Sequence, residues 1–346
     1  MRVPNRVIWS EGMFMSPQHL QQLDRYHEGF VNARIGSLLP YDWGVIAVEL
    51  DERALVAGQV RVHRFEGVLP DGLPLAFDAA HSEVPAIRPI EGHFPAAQRV
   101  LEIFLAVPAE REGLPAIAPA NTPTPGLRFF TSGRAVVDAA GGATDVNVAF
   151  AQRHVTVLFG DESRDDYEAI KVAEIVRAPD GSFTLRQEFI PPCRRIAASA
   201  WLMNRLRQVL GLMAAVQRSL MEGRRQRDAS TIEFREGDVG DYLKLNAVNT
   251  FYPIVNHLIE RSETPPDEAY LLLSQFAGQL STFAPDGDVT KLPKFFYTDL
   301  VTTFGDLLGE ITRLLNLVNK ARFITVPLES REDGLHFGRL EDERLL

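Results

Sequence analysis

The hydrophobic period of this chain changes once, at Pro191-Pro192, and that change constrains the fold more than any motif does. Before it, apolar residues alternate. Val60 and Val62 flank Arg61. Leu101, Ile103, Leu105 and Val107 alternate up to Pro108. Val146, Val148 and Phe150 form one further set, and Val155, Val157 and Phe159 another. A period of two places such residues on one face of a sheet. Residues 44–50 are a short β-branched run. Pro70-Asp71-Gly72 divides Val68 from Leu75. Pro179-Asp180-Gly181-Ser182 divides residues 170–176 from 183–185, a hairpin signal. Strands so short and so punctuated predict a β-sandwich or barrel. No helical pattern alternates with them, which argues against a parallel βαβ sheet. Residues 114–126 include Pro115, Pro119, Pro123 and Pro125 and read as a surface loop, or as an arm that docks on a neighbour.

After the two prolines the period is helical. Leu202, Leu206, Val209, Met213, Val216 and Leu220 are spaced 4, 3, 4, 3, 4, the a/d pattern of a coiled-coil seam. A second helix is expected from near Asp241, with Leu245, Val248, Tyr252, Val255 and Ile259 on one side and Pro253 as a kink. Thr264-Pro265-Pro266-Asp267 predicts a third, with Thr264 as N-cap and Pro265 at the first helical position. Its stripe is Ala269, Leu273, Phe276, Leu280 and Phe283. The fourth carries Leu300, Phe304, Leu307, Ile311, Leu314 and Val318. Four amphipathic helices with short connections make a bundle.

The expected fold class is therefore α+β with segregated halves: an all-β sandwich over residues 1–190 and a four-helix bundle over 191–321. After Lys320 the helical period stops. Residues 323–326 read as a strand, and Leu335 and Phe337 alternate, so 322–346 is expected to open a third unit. It is too short to bury a core of its own, so it reads as the stub of a truncated domain.

A narrow a/d stripe packs inside one chain's bundle or meets symmetry mates around an axis. The stripe from Leu202 to Leu220 is assigned to an oligomer contact. The segment that carries it is basic: Arg194, Arg195, Arg205, Arg207, Arg218, Arg224, Arg225 and Arg227 stand against Glu222 and Asp228. In a chain of net charge −10 these arginines suit a solvated face or an acidic partner. No aromatic platform interleaves with them, and an acidic chain is a poor nucleic-acid binder.

Catalytic signatures are missing. There is no GxGxxG, GxxxxGK[ST], HExxH or GxSxG, and one cysteine excludes a disulfide scaffold or a CxxC site. His81, Glu83, Glu91 and His93 are close in sequence, but Pro85, Pro89 and Pro95 interrupt them, so a metal site is not assigned. The Asp161-Glu162 and Asp165-Asp166 pairs read as loop solubility. No catalytic, cofactor or metal residue is named. The N-terminus has no apolar core of signal-peptide length, and residues 269–285 are too polar to cross a bilayer. A cytoplasmic chain without direct membrane insertion is expected.

The most unusual stretch is residues 7–25. It packs Trp9, Met13, Phe14 and Met15 into seven residues, and Ser16 with Pro17 reads as the cap and first turn of a short helix containing His19. Such a segment tucks against the sandwich core or contacts another subunit, since Trp, Met and aromatic residues are enriched at interfaces. Trp9, Glu11, Gly12, Met13, Pro17, Gln18, His19 and Gln21 resemble the W-x-E-G-M-x-x-x-P-Q-H-F-Q opening of the TssK family, the ImpJ/VasE-like baseplate proteins of type VI secretion. Leu20 replaces the usual Phe. Residues 65–74 resemble that family's strand and turn, and 269–283 its neck-helix motif, although Pro265-Pro266 stands where His-Pro is frequent.

The resemblance implies a structural adaptor without enzymatic activity or cofactor. It implies a cytoplasmic homotrimer at the inner face of the inner membrane, with a shoulder like that of phage receptor-binding proteins. The shoulder would meet the wedge subunits TssF and TssG, the neck would trimerise, and a head beyond this chain would dock on a membrane complex containing TssM and TssL. Under this reading Trp9, Met13, Phe14, Met15, Pro17 and His19 form a partner interface, and no nucleic acid is bound. The competing readings are a phage-type receptor-binding protein and a carbohydrate-binding β-sandwich protein with a helical oligomerisation tail.

Overall fold

The computed structural model describes residues 4–82, 84–111, 113–118, 124–142, 145–225, 236–318, 328–330 and 336–338. In chain order the elements are α1 (Pro17–Leu38), β1 (Gly44–Leu50), α2 (Glu52–Val56), β2 (Gln59–Val60), β3 (Val62–Val68), β4 (Pro74–Asp78), β5 (Arg88–Pro89), β6 (Val100–Pro108), β7 (Ile117–Ala118), β8 (Phe129–Val136), β9 (Val146–Arg153), β10 (Thr156–Phe159), β11 (Tyr167–Arg177), β12 (Phe183–Leu185), α3 (Ala200–Arg225), α4 (Glu236–Glu260), α5 (Pro266–Ser281), α6 (Leu300–Val318), β13 (Leu328–Ser330) and β14 (His336–Gly338).

The period-two runs form strands. β6 buries Leu101, Ile103 and Leu105 completely and is an inner strand of the antiparallel order β10-β6-β11-β12. β1, β3 and β4 form a second antiparallel sheet. Its β3–β4 turn contains Pro70-Asp71-Gly72. The Leu73 amide donates to Asp71 Oδ1 at 3.0 Å, and Gly72 takes a φ of 89° that a side chain would resist. The Ala178 amide donates to the Ser182 carbonyl at 2.8 Å and closes the β11–β12 hairpin where the Pro-Asp-Gly-Ser run predicts it. A third sheet has the order β7-β8-β9. Its middle strand, β8, carries no apolar alternation, so periodicity does not announce it. Within the proline-rich run Ile117 and Ala118 are not loop; they pair in parallel with Phe129 and Phe130. Residues 119–123 of that run, with Pro119 and Pro123, lie outside the described residues. The first half is not all-β either, because α1 and α2 belong to it.

Four helices follow. α3 packs on α4, α4 on α5, α5 on α6 and α6 on α3, so the bundle closes on itself. α6 is thoroughly covered, with Leu300, Phe304, Leu307, Leu308, Ile311, Leu314 and Leu315 at or near zero exposure. Pro253 lies inside α4, as expected. Thr264 does not cap α5. Pro265 holds the N-cap position, and the Thr264 hydroxyl donates back to the Arg261 carbonyl at 2.8 Å. The strand expected over 323–326 lies outside the described residues, as does Leu335. β13 and β14 pair antiparallel, with Glu329 opposite Phe337.

The oligomer contact assigned to the α3 seam needs correction. Leu202, Leu206, Val209, Met213 and Val216 are buried to 1% exposure or less by the chain itself, and Leu220 is half-buried. The bundle closes over that face, so no symmetry mate reaches it. A 3-4 spacing does not distinguish the two arrangements, because both bury the same stripe.

The two halves share one core. Val45 of β1, Phe65 of β3 and Ile103 of β6 belong to one continuous buried cluster with the bundle residues Leu206, Phe276 and Phe304. Hydrogen bonds join the halves as well. The Val45 amide donates to the Pro192 carbonyl at 2.8 Å, and the Arg194 amide donates to the Val45 carbonyl at 2.9 Å. Arg195 Nε donates to the Ile46 carbonyl at 3.0 Å. Among the described residues no helix is long and apolar enough to cross a membrane.

Candidate protein interface

The N-terminal segment is sparsely covered by the rest of the chain. The helix that begins at Pro17 is not short: α1 runs for 22 residues and buries none of them. Pro17 fills its first position, where the missing N–H costs nothing. The Ser16 amide donates to His19 Nδ1 at 3.1 Å, which fixes the imidazole at the start of the helix.

The residues before α1 run back along it. The Trp9 ring lies 6.1 Å from the His19 ring, and the Arg6 guanidinium sits 5.6 Å over Tyr26. Pro4 packs against Gly29 so closely that a side chain there would collide with it. This N-terminal arm and α1 therefore form one unit. Two contacts root that unit on the sheets. Arg25 pairs with Glu110 at 2.6 Å, just beyond β6, and Asn32 lies against Gly72 in the β3–β4 turn. Arg128, only 4% exposed, braces the same end by bonding Asp71 and the Pro108 carbonyl.

The side chains expected to meet a partner divide. Phe14 is 88% exposed and Met15 62%, with Ile8 nearby in sequence at 80%. Trp9 is half-exposed; Met13 and His19 are half-buried; Pro17 is exposed. Four large apolar groups facing water in one short segment exceed the scatter of single exposed residues that a surface tolerates.

Elsewhere the polar clusters are structural. Glu162 accepts from Arg88 at 2.7 Å and from the Phe159 amide at 2.7 Å. Burial works to raise its pKa, but those bonds outweigh it and hold the carboxyl below its ordinary value. His93 stacks on Phe159 at 4.4 Å with Asp161 3.0 Å from Nδ1, so the Asp161-Glu162 pair holds the sheet end rather than only solvating a loop. Glu83 lies outside the described residues. Arg205 and Arg207 bond Gln208 and Asn204, and Arg218 is exposed, while Arg227 lies outside the described residues. A hollow of ≈ 600 Å³ between the end of α4 and the start of α5 is lined by Ile254, His257, Arg261, Glu263, Thr264, Glu268 and Leu272, and the Thr264 hydroxyl in it donates to the Arg261 carbonyl.

Residues 19–346 match the family described as Bacterial Type VI secretion, EvfL, ImpJ, VasE. The type VI secretion system baseplate component TssK1 of Pseudomonas aeruginosa is 29% identical over 345 residues, which cover 99% of this chain and 76% of that protein. Among solved structures, a chain of the baseplate complex from the type VI secretion system is 25% identical, with a TM-score of 0.83 over 100% of this chain and 76% of that one. A crystal structure of TssK gives 0.81 at 23% identity over 98% of this chain and 75% of that one. A chain of the TssK-TssF-TssG baseplate subcomplex gives 0.77 at 24% identity over 90% of this chain and 99% of that one.

Proposed function

The chain belongs to the bacterial type VI secretion family of ImpJ and VasE, and from that membership we propose that it is a structural adaptor of the secretion baseplate with no enzymatic role. The observation that carries the proposal is the likeness along the full chain, at a TM-score of 0.83, to a chain of a type VI baseplate complex. In this reading residues 1–190 are a β-sandwich shoulder of the phage receptor-binding type, and 191–321 are a helical neck. The segment from 322 begins the part that faces the membrane complex containing TssM and TssL. The protein works as a homotrimer in the cytoplasm, at the inner face of the inner membrane.

The exposed N-terminal arm supports a docking role for the shoulder. Ile8, Phe14 and Met15 present apolar surface that water covers at a cost of roughly 25 cal/mol per Å². A wedge subunit seated there removes it. We assign the arm, with Trp9, Met13, Pro17 and His19 as its framework, to the contact with TssF and TssG. Deleting residues 1–15 tests the assignment: co-purification with TssF and TssG is lost while the helical circular dichroism of α3 to α6 persists. Unchanged co-purification would contradict it.

A further inference from the structure

A trimer needs a contact, and the α3 seam cannot supply it, because the bundle already buries those side chains. Among the described residues, besides the N-terminal arm and the start of α4 with Val239, Tyr242 and Leu243, two uncovered surfaces fit one another. The first is the outward stripe of α1: Leu20, Asp24, Glu28, Val31, Ile35 and Leu38 follow one another at helical spacing, all exposed. Val31 is 50% exposed, Ile35 41% and Leu38 78%. Asp24 and Glu28, four residues apart, have no cationic partner among the described residues. Like charges at that spacing destabilise a helix unless something neutralises them.

The second is the ribbon of β8 and β9. The register Arg134↔Val148 and Val136↔Val146 places Arg134, Val136, Val146 and Val148 on one face. All four are exposed, Val146 at 62%. The Arg134 guanidinium lies 4.0 Å over the Phe150 ring and has no carboxylate partner among the described residues. A ribbon with an apolar face and few charges is marginal in water and open to pairing.

The two surfaces are complementary. One joins four apolar residues to two unpaired acids, and the other joins three valines to one unpaired arginine. They also spring from the same end of the sheets. Arg128, next to the first residue of β8, bonds Asp71, and Asn32 of α1 lies against Gly72 beside it. Different patches on one chain make a head-to-tail contact, which closes into a ring when the rotation allows.

We propose that the β8–β9 ribbon of one copy lies along the outward stripe of α1 of the next, with Arg134 facing Asp24 and Glu28. This rests on the trimer reading above. The test uses the whole chain. Cys193 is buried and is the only native cysteine, so Glu28→Cys with Arg134→Cys introduces the only accessible thiols. Mild oxidation is expected to give a covalent trimer on a non-reducing gel, and neither single variant should. Arg134→Glu should shift the mass by light scattering from trimer to monomer, and adding Asp24→Lys and Glu28→Lys should restore it. A trimer that neither cross-links nor responds to Arg134→Glu overturns this contact and leaves the trimer standing. A monomeric wild type overturns both. An intact trimer that loses TssF and TssG on Arg134→Glu overturns it by giving this face to the wedge.

Discussion

The Tyr297 hydroxyl donates to the carbonyl of Trp43, and the carbonyl of Cys193 lies 3.1 Å away. One side chain ahead of α6 thereby ties the entry to β1 to the segment that leads into α3. Its ring stacks on Tyr41 at 4.3 Å and meets Trp43 edge-on at 5.0 Å. Gly44 has a φ of 133°, and a side chain there would strike that hydroxyl. Tyr297→Phe keeps the ring but leaves the partly buried Trp43 carbonyl without this donor, so it should cost about 1–3 kcal/mol in urea denaturation. Gly44→Ala should cost more, through clash and strain together.

Burial pushes the Cys193 thiol up to about 12. A thiol-specific reagent at about pH 8, near the ordinary thiol pKa, should leave the native protein unmodified and label it fully in denaturant. Labelling of the folded protein would mean that the junction opens.

Leu206 is fully buried in the bundle. Leu206→Ala should lower stability by about 2–5 kcal/mol, from lost transfer energy and the cavity left behind. Leu206→Asp should unfold the bundle instead of releasing folded monomers. Folded monomers by circular dichroism and light scattering would return the seam to a subunit contact.

Glu162 and Glu168 pull the acid limb in opposite directions. The Glu162 carboxyl is held below its ordinary 4.5, so the stability it contributes is present above pH 4.5 and is lost as pH falls through the lower native value. Burial, then the charge of Asp71, raises Glu168, so its contribution is present below 4.5 and is lost as pH rises through the higher native value. Glu162→Gln should flatten the loss of melting temperature below pH 4.5, and Glu168→Gln should flatten the change above it.

Much of the architecture is legible in the sequence because periodicity reports burial. The alternation of Leu101, Ile103, Leu105 and Val107 and the stripe on α6 each become a buried face. What the α3 seam buries against is not legible, since Leu202 to Leu220 reads alike inside one bundle or between copies. The length of α1 escapes the pattern because Leu20, Val31 and Ile35 face outward and leave no buried stripe to recognise. β8 escapes it because Thr131, Ser132 and Gly133 interrupt the apolar residues. The N-terminal arm stands out by its density of Trp, Met and Phe, but its path back along α1 depends on contacts such as Arg6 over Tyr26, which no spacing announces.

The baseplate role is tested most directly by mass measurement of this chain purified after co-expression with TssF and TssG. One complex that contains both wedge proteins and this chain in multiples of three is expected. Changing Phe14 and Met15 to Asp should release the wedge proteins while altering stability by less than about 0.5 kcal/mol, as for other exposed positions. Elution of the chain alone, as a folded monomer with TssF and TssG in separate fractions, would contradict it.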